Sequence, residues 1–255
     1  MFPARVLEGL RLSDIAMHAL ESAYTMVVKS EPYIFGLVAG LGVGGGIFYY
    51  KSLVHAHLAR GLVPGILTVH ADVRRVLDHA AARETRELAT YLSGLLHQLA
   101  RGGAQMATIP AFAPQICAQE LATMTPLPLI DLLDIIATEV ERRKFQRVAI
   151  FGARVTIETK LFGRLQNVEV VTPGTGEVNR LTNIYAKIAQ EEQASREEYE
   201  TLRSLAHTLI DRERLDGILL AGTDLSLVFN PENTDFPHVD DARAHIDAIM
   251  HKLTP

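Results

Sequence analysis

Short apolar runs of strand length alternate with longer stretches of helical period after residue 30, and this alternation constrains the fold more than any other feature of the sequence. The apolar runs cover residues 33–38, 65–69, 104–108, 147–151, 168–171 and 217–220. Stretches of helical period cover 83–101, 132–144, 179–192 and 197–212. Strands that alternate with helices join through βαβ crossovers, which produce parallel sheets. Runs this short and this apolar fit sheets covered on both faces. The order also repeats. Gly40 to Thr108 spans 68 positions and Gly152 to Gly222 spans 70, each beginning at a turn after a strand and ending at a strand-end loop. The expected fold class is therefore α/β, with two pseudo-symmetric Rossmann-like domains, parallel sheets and a cleft between them. The expected boundaries are an N-terminal helical extension over 1–30, a first α/β domain over 31–130 plus 238–255, and a second over 131–237. Ligands of open α/β sheets bind beyond the carboxyl ends of the strands, so that cleft is the expected site.

Composition narrows the partners. The chain has 255 residues, 48% hydrophobic and 22% charged, enough for a packed core. A net charge of −5 without a dense basic cluster disfavours nucleic acid. The single cysteine, Cys117, excludes an internal disulfide and a multi-thiolate metal site. Residues 32–50 carry no charge, yet six of them are glycine, so they read as a strand, a Gly-rich turn and a helix from about Ile47 rather than a membrane span. With no secretion signal in view, the expectation is a cytoplasmic protein with no membrane and no nucleic-acid partner, and no metal or cofactor. Val6, Leu10, Ile15 and Leu20 suggest amphipathic helices in the N-terminal segment, packed on the domain or on a second subunit of a homodimer.

Six stretches together carry a resemblance. They are Phe35-Gly-Leu-Val-Ala-Gly-Leu-Gly, Gly103-Ala-Gln-Met-Ala-Thr, Leu127-Pro-Leu-Ile, Phe151-Gly-Ala-Arg-Val-Thr-Ile-Glu, Gly217-Ile-Leu-Leu-Ala-Gly-Thr-Asp-Leu and Val239-Asp-Asp-Ala-Arg-Ala-His. In this order and spacing the chain, from about residue 34 to 250, resembles the aspartate/glutamate racemase superfamily of cofactor-independent enzymes. The resemblance implies two cysteines facing each other across the cleft. One thiolate removes the proton beside a carboxylate and the other thiol returns one on the opposite face.

The sequence departs from that pattern where the chemistry lies. Thr108 stands at the first cysteine and Gly222 at the second. The neighbouring positions that hold the substrate carboxylate in the family are Ile109 and Pro110, and Gly44, Gly45 and Gly46 replace polar residues of the first loop. An alcohol without a partnered base is many orders less acidic than a thiol, so two-cysteine racemisation is not expected. Cys117, nine residues past Thr108, reads as a core filler on a following helix. The exchange of polar groups for Ile109, Phe112 and glycines implies a larger, more apolar cleft.

Several groups remain as candidates. Thr108, Thr223, Asp131 and Asp224 are candidate catalytic residues. Gly40, Gly42, Ile109, Phe112, Arg154, Thr156, Gly222 and His245 are candidate ligand contacts. Each polar one has a structural alternative. Asp131 and Asp224 fit helix caps, and Thr156 fits the N-cap of a helix starting near Ile157 or else an anion contact. His245 fits a solvated or capping position as well as a pocket one. The leading functional reading is cysteine-independent isomerase, lyase or cyclase chemistry on a small carboxylic or carbonyl-containing molecule. The alternative is a non-catalytic binder of a carboxylate or apolar metabolite. A third reading takes Gly40-x-Gly42-x-x-Gly45, with Asp72 as ribose acid, for a dinucleotide fingerprint.

Overall fold

The computed structural model describes residues 33–253, and from Ile34 onward the chain forms one compact unit. The amphipathic segment expected over residues 1–30 lies outside the described residues. The first half runs β1 (Phe35–Ala39), α1 (Val43–Ala59), β2 (Ile66–His70), α2 (Val73–Ala82), α3 (Thr85–Arg101) and β3 (Met106–Thr108). A 3-10 turn (Ala113–Cys117) leads into α4 (Ala118–Met124). The second half runs α5 (Leu132–Arg142), β4 (Arg147–Gly152), α6 (Arg154–Glu158), β5 (Glu169–Val171), α7 (Thr175–Glu191), α8 (Arg196–Glu213) and β6 (Gly217–Ala221). A 3-10 turn (Thr223–Leu227), β7 (His238–Asp240) and α9 (Asp241–Leu253) complete it. All strand pairs are parallel, in the orders β2-β1-β3 and β5-β4-β6-β7. The six expected strands are all present, with ends moved by one or two residues.

The central strands of both sheets are covered on both faces, which is why they lack polar alternation. Phe35, Leu37, Val148, Ile150, Phe151 and Leu219 are all buried. The C-terminal segment serves both halves. β7 extends the second sheet beside β6, whereas α9 packs Ala242, Ile246 and Ile249 against Phe35, Tyr49 and Leu53 of the first half. β7 has three residues, two of them polar in type, and leaves no periodic signature to read.

The Gly-rich turn is shorter than its composition implies. α1 starts at Val43, so Gly44, Gly45 and Gly46 lie inside its first turns rather than in a loop. Each glycine in a helix costs about 1 kcal/mol relative to alanine. Tertiary contact outweighs that here. A Cβ at Gly44 would stand 2.8 Å from Leu227 Cδ1, and one at Gly45 would stand 2.9 Å from Thr223 Oγ1. The missing side chains let α1 seat directly on the 3-10 turn of the second half.

Candidate functional site

At the end of β3, Thr108 and His245 come together in a closed network. Thr108 Oγ1 donates to the Ile130 carbonyl at 2.9 Å and lies 3.3 Å from His245 Nε2. His245 Nε2 is itself 3.2 Å from the same carbonyl, and its Nδ1 is 3.0 Å from the Tyr49 hydroxyl. The Ile130 oxygen selects the tautomer, since a lone pair on Nε2 would face another lone pair. Nε2 therefore carries the proton, and Tyr49 donates to Nδ1. The arrangement leaves the Thr108 proton on a backbone carbonyl, not on a base. Burial pushes the His245 imidazole down to about 4, so the ring is neutral near pH 7, and the Ile130 carbonyl only partly opposes this. The Tyr49 phenol is raised well above its ordinary value by burial and by Asp241 and Asp240.

At the end of β6, Gly222, which the resemblance sets at the second cysteine, has no room for a side chain. A Cβ on Gly222 would stand 2.4 Å from Tyr185 Cε2 and 3.0 Å from its hydroxyl. The Tyr185 hydroxyl reaches Asp224 Oδ2 at 3.4 Å. Gly42 and Gly45 meet Asp224 from the first half, where a Cβ on either would approach its carboxylate within 3.5 Å. Burial raises the Asp224 carboxyl, and the Gly45 amide and Tyr185 hydroxyl pull it back without cancelling the rise. Oδ1 of Asp224 nevertheless makes no aligned hydrogen bond. Two further buried atoms share that condition among the described residues, Asp241 Oδ2 and Thr156 Oγ1. All three follow the carboxyl ends of adjacent strands, β4, β6 and β7. Asp241 is fully buried and its carboxyl is raised well above normal by desolvation and by Asp240 and Asp224.

The other sequence-derived candidates lie elsewhere or act structurally. Asp131 caps α5, accepting from the amides of Leu133 and Asp134 at 2.8 and 3.1 Å, and faces Arg164 at 3.5 Å. Replacing Asp131 with alanine is expected to cost about 1 kcal/mol, the ordinary worth of such a cap, read as a lowered urea midpoint. Thr156 is not an N-cap: α6 starts at Arg154 with Ala153 in that position, because the turn after Gly152 is tighter than the sequence suggests. Arg154 is turned outward and bonds Asn179 Oδ1 at 2.7 Å. Gly40 adopts a φ of +89°, and a Cβ there would meet the Ala71 carbonyl at 2.6 Å, so it shapes the turn. Ile109 and Phe112 are buried in the cores of the first and second halves respectively. Cys117 ends the 3-10 turn rather than riding on a helix, and its buried thiol donates to the Pro114 carbonyl at 3.1 Å. Burial and Glu120 push it up to about 12, which keeps it a thiol.

The larger, more apolar cleft expected from the substitutions is not formed. Thr108, Thr223, Asp224, Asp241 and His245 are all buried. The glycines close the gap by letting backbone approach, and Tyr185 fills what remains beside Gly222. A neighbouring cavity of about 340 Å³ opens beside Ile109, Gln115, Leu127, Asp131 and Leu132. The dinucleotide reading fails on the same contacts. The N-terminus of α1 faces the Asp224 carboxyl, where a diphosphate would have to sit, and Asp72 caps α2 through Arg74 and Arg75. Sequence reasoning missed Tyr185, Tyr49 and the orphaned oxygen of Asp241. Tyr185 occupies an ordinary position of an amphipathic helix, and nothing local marks it.

A family model described as Asp/Glu/hydantoin racemase matches residues 38–249. The chain belongs to that family. Solved structures of the racemase fold agree. A candidate Asp/Glu racemase from Yersinia pestis superposes with a TM-score of 0.75 at 19% identity, covering 87% of this chain and 99% of that one. An aspartate racemase homologue from Pyrococcus horikoshii OT3 gives 0.72 at 19% identity, covering 88% and 100%. Aspartate racemase from Picrophilus torridus gives 0.67 at 15%, covering 86% and 94%. No curated protein matches at a significant level. Within the racemase family this chain is divergent in sequence, since it has one cysteine and the resemblance implies two. No helix among the described residues is long and apolar enough to cross a membrane.

Proposed function

We propose that this racemase-family chain performs one-sided, cysteine-independent proton chemistry on a small molecule carrying a carbonyl or carboxyl group, with Asp224 as the acid–base group and Tyr185 positioning it. The observation that carries the reading is an asymmetry. On the β3 side the Thr108 proton is committed to the Ile130 carbonyl. On the β6 side a desolvated carboxyl retains an oxygen without an aligned hydrogen bond. A carboxylate whose proton affinity is raised by burial is a stronger base once ionised. It would take a proton from the carbon next to the carbonyl and return one to the same face. The first amides of α1, which have no intrahelical partners, face this carboxyl and partly offset the desolvation of its ionised form. With no second acid–base group across the site, inversion at carbon does not follow, and the reaction class is isomerase or lyase.

The test incubates the purified full-length protein in deuterium oxide with aspartate, glutamate and a panel of 2-oxo acids. The expected result is deuterium uptake beside the carbonyl of one substrate class, without the mirror-image product, and its loss in Asp224→Asn. D-aspartate or D-glutamate formed from the L-acid at enzymatic rates would overturn it. Complete burial of Thr108, His245 and Asp224 favours a second reading, a non-catalytic binder. Saturable binding with no exchange in any substrate class would select that one.

A further inference from the structure

Two buried carboxyls at the strand ends have no counter-charge, whereas a third beside them does. Asp240 accepts from Ser226 Oγ at 2.7 Å, from the Arg243 amide at 3.0 Å and from Arg243 Nε at 2.9 Å. Its neighbour Asp241 is fully buried, and its Oδ1 accepts from the Ala242 amide at 2.8 Å. Oδ2 of Asp241, Oδ1 of Asp224 and the hydroxyl of fully buried Thr156 are without an aligned hydrogen bond. These residues follow β7, β6 and β4, which lie side by side in the second sheet. The two carboxyls share one region, since Asp224 raises the Asp241 carboxyl and both raise the Tyr185 phenol. The arginines of this half are committed elsewhere. Arg154 bonds Asn179 and Glu158, Arg164 faces Asp131 and Asp134, and Arg243 holds Asp240. No lysine or arginine among the described residues forms an ion pair with Asp224 or Asp241. Buried carboxyls are ordinarily paired, so the missing cation is one that a ligand would bring.

We infer that Asp241 and Thr156 receive the ammonium group of the bound molecule, and that this chain prefers an amino compound without a second carboxylate. The inference rests on the location proposed above for the reaction, and it narrows the substrate class. An ammonium group carries three donors and no acceptor, which suits oxygens that lack donors. A carboxyl raised by burial ionises as the cation arrives, because the cation favours its charged form. Asp224 Oδ1 is left for the proton beside the carbonyl, and its charge adds to the attraction. A second carboxylate on the ligand would enter the same negative field with no guanidinium or ammonium to meet it. Neutral and cationic side chains are therefore preferred, with aspartate and glutamate the poor members of the class. A 2-oxo acid lacks the cation altogether. Two carboxyls and a hydroxyl also fall short of a divalent-ion site, and among the described residues no group of three His, Cys, Asp or Glu side chains is placed to hold one.

Titration calorimetry of the full-length protein tests it with L-asparagine against L-aspartate, L-glutamine against L-glutamate, and pyruvate. The members of each amide–acid pair match in shape and differ in one charge. Each amide is expected to bind at least about tenfold more tightly than its acid, and pyruvate more weakly than either amide. Asp241→Asn keeps an oxygen for the Ala242 amide and is expected to weaken amide binding at least about tenfold and to remove most of the preference over the acid. A purely structural role would shift the urea midpoint and leave the amide-to-acid ratio unchanged, which would overturn the proposal. So would an acid that binds as tightly as its amide, pyruvate that binds as tightly as the amides, or a panel in which nothing binds. These ratios in the parental protein decide the matter even if the variant does not fold. Deuterium uptake from a 2-oxo acid, lost in Asp224→Asn, would overturn the ammonium site and leave the proton chemistry standing. Amide-selective binding without exchange would do the reverse.

Discussion

Gly222→Cys is expected to destabilise the protein by about 1–3 kcal/mol, the usual range for forcing extra atoms into a packed site. The new Cβ would stand 2.4 Å from Tyr185 Cε2 and 2.8 Å from Cζ, inside any tolerated contact. Tyr185 cannot swing away without losing Asp224 and its own packing on the second core. The signature is therefore coupling. Gly222→Cys combined with Tyr185→Ala should cost less than the sum of the two single changes, because the collision disappears. Urea unfolding of the four proteins measures it. A Gly222→Cys variant that unfolds at the parental midpoint would refute the steric account. Restoring both thiols, Thr108→Cys with Gly222→Cys, should return no racemisation while Tyr185 stays, since its ring holds the space in which the second sulfur would work.

Acid should weaken the fold through His245. In the unfolded chain its imidazole titrates near 6.5, whereas burial holds it at about 4 in the folded protein. Between those values the unfolded state binds more protons, so the stabilisation is present above about 6.5 and is lost as pH falls towards 4. The loss approaches about 3 kcal/mol for a difference of this size. Asp224 and Asp241 act in the opposite sense. Their folded carboxyls are raised, so their contribution is fully present at low pH and is lost as pH rises above the unfolded carboxylate range. The parental profile sums these terms, and comparison with His245→Gln isolates one. At pH 7 the variant should be less stable, because the contacts to Tyr49 and Thr108 are impaired. The gap should narrow progressively down to pH 4. Parallel stability curves for the two proteins over that range would show that His245 is not held neutral by burial.

Each of these effects follows from contacts between residues far apart in the chain, which marks the boundary of what the sequence could show. The strands were legible because a sheet covered on both faces needs unbroken apolar runs, and residues 147–151 and 217–220 supply them. The main helices were legible through period and caps, as with Asp131 before α5. Glycine in α1 misled local reasoning, since helix propensity describes an isolated helix and not one pressed against Thr223 and Leu227. The cleft was misread for the same reason. Removing polar side chains was expected to open space, whereas α1 seats closely on Thr223 and Leu227 and Tyr185 stands against Gly222.

Residue order alone established the α/β class, the racemase lineage and a single cysteine where the resemblance implies two, because element periodicity and residue identity are local properties. Only the tertiary structure decided what replaced those thiols. Which oxygen takes the Thr108 proton, which ring stands beside Gly222 and which carboxyls are stranded at the strand ends depend on contacts that join residues 22 to 196 positions apart. Such contacts obey packing and desolvation, and no repeat or motif along the chain announces them.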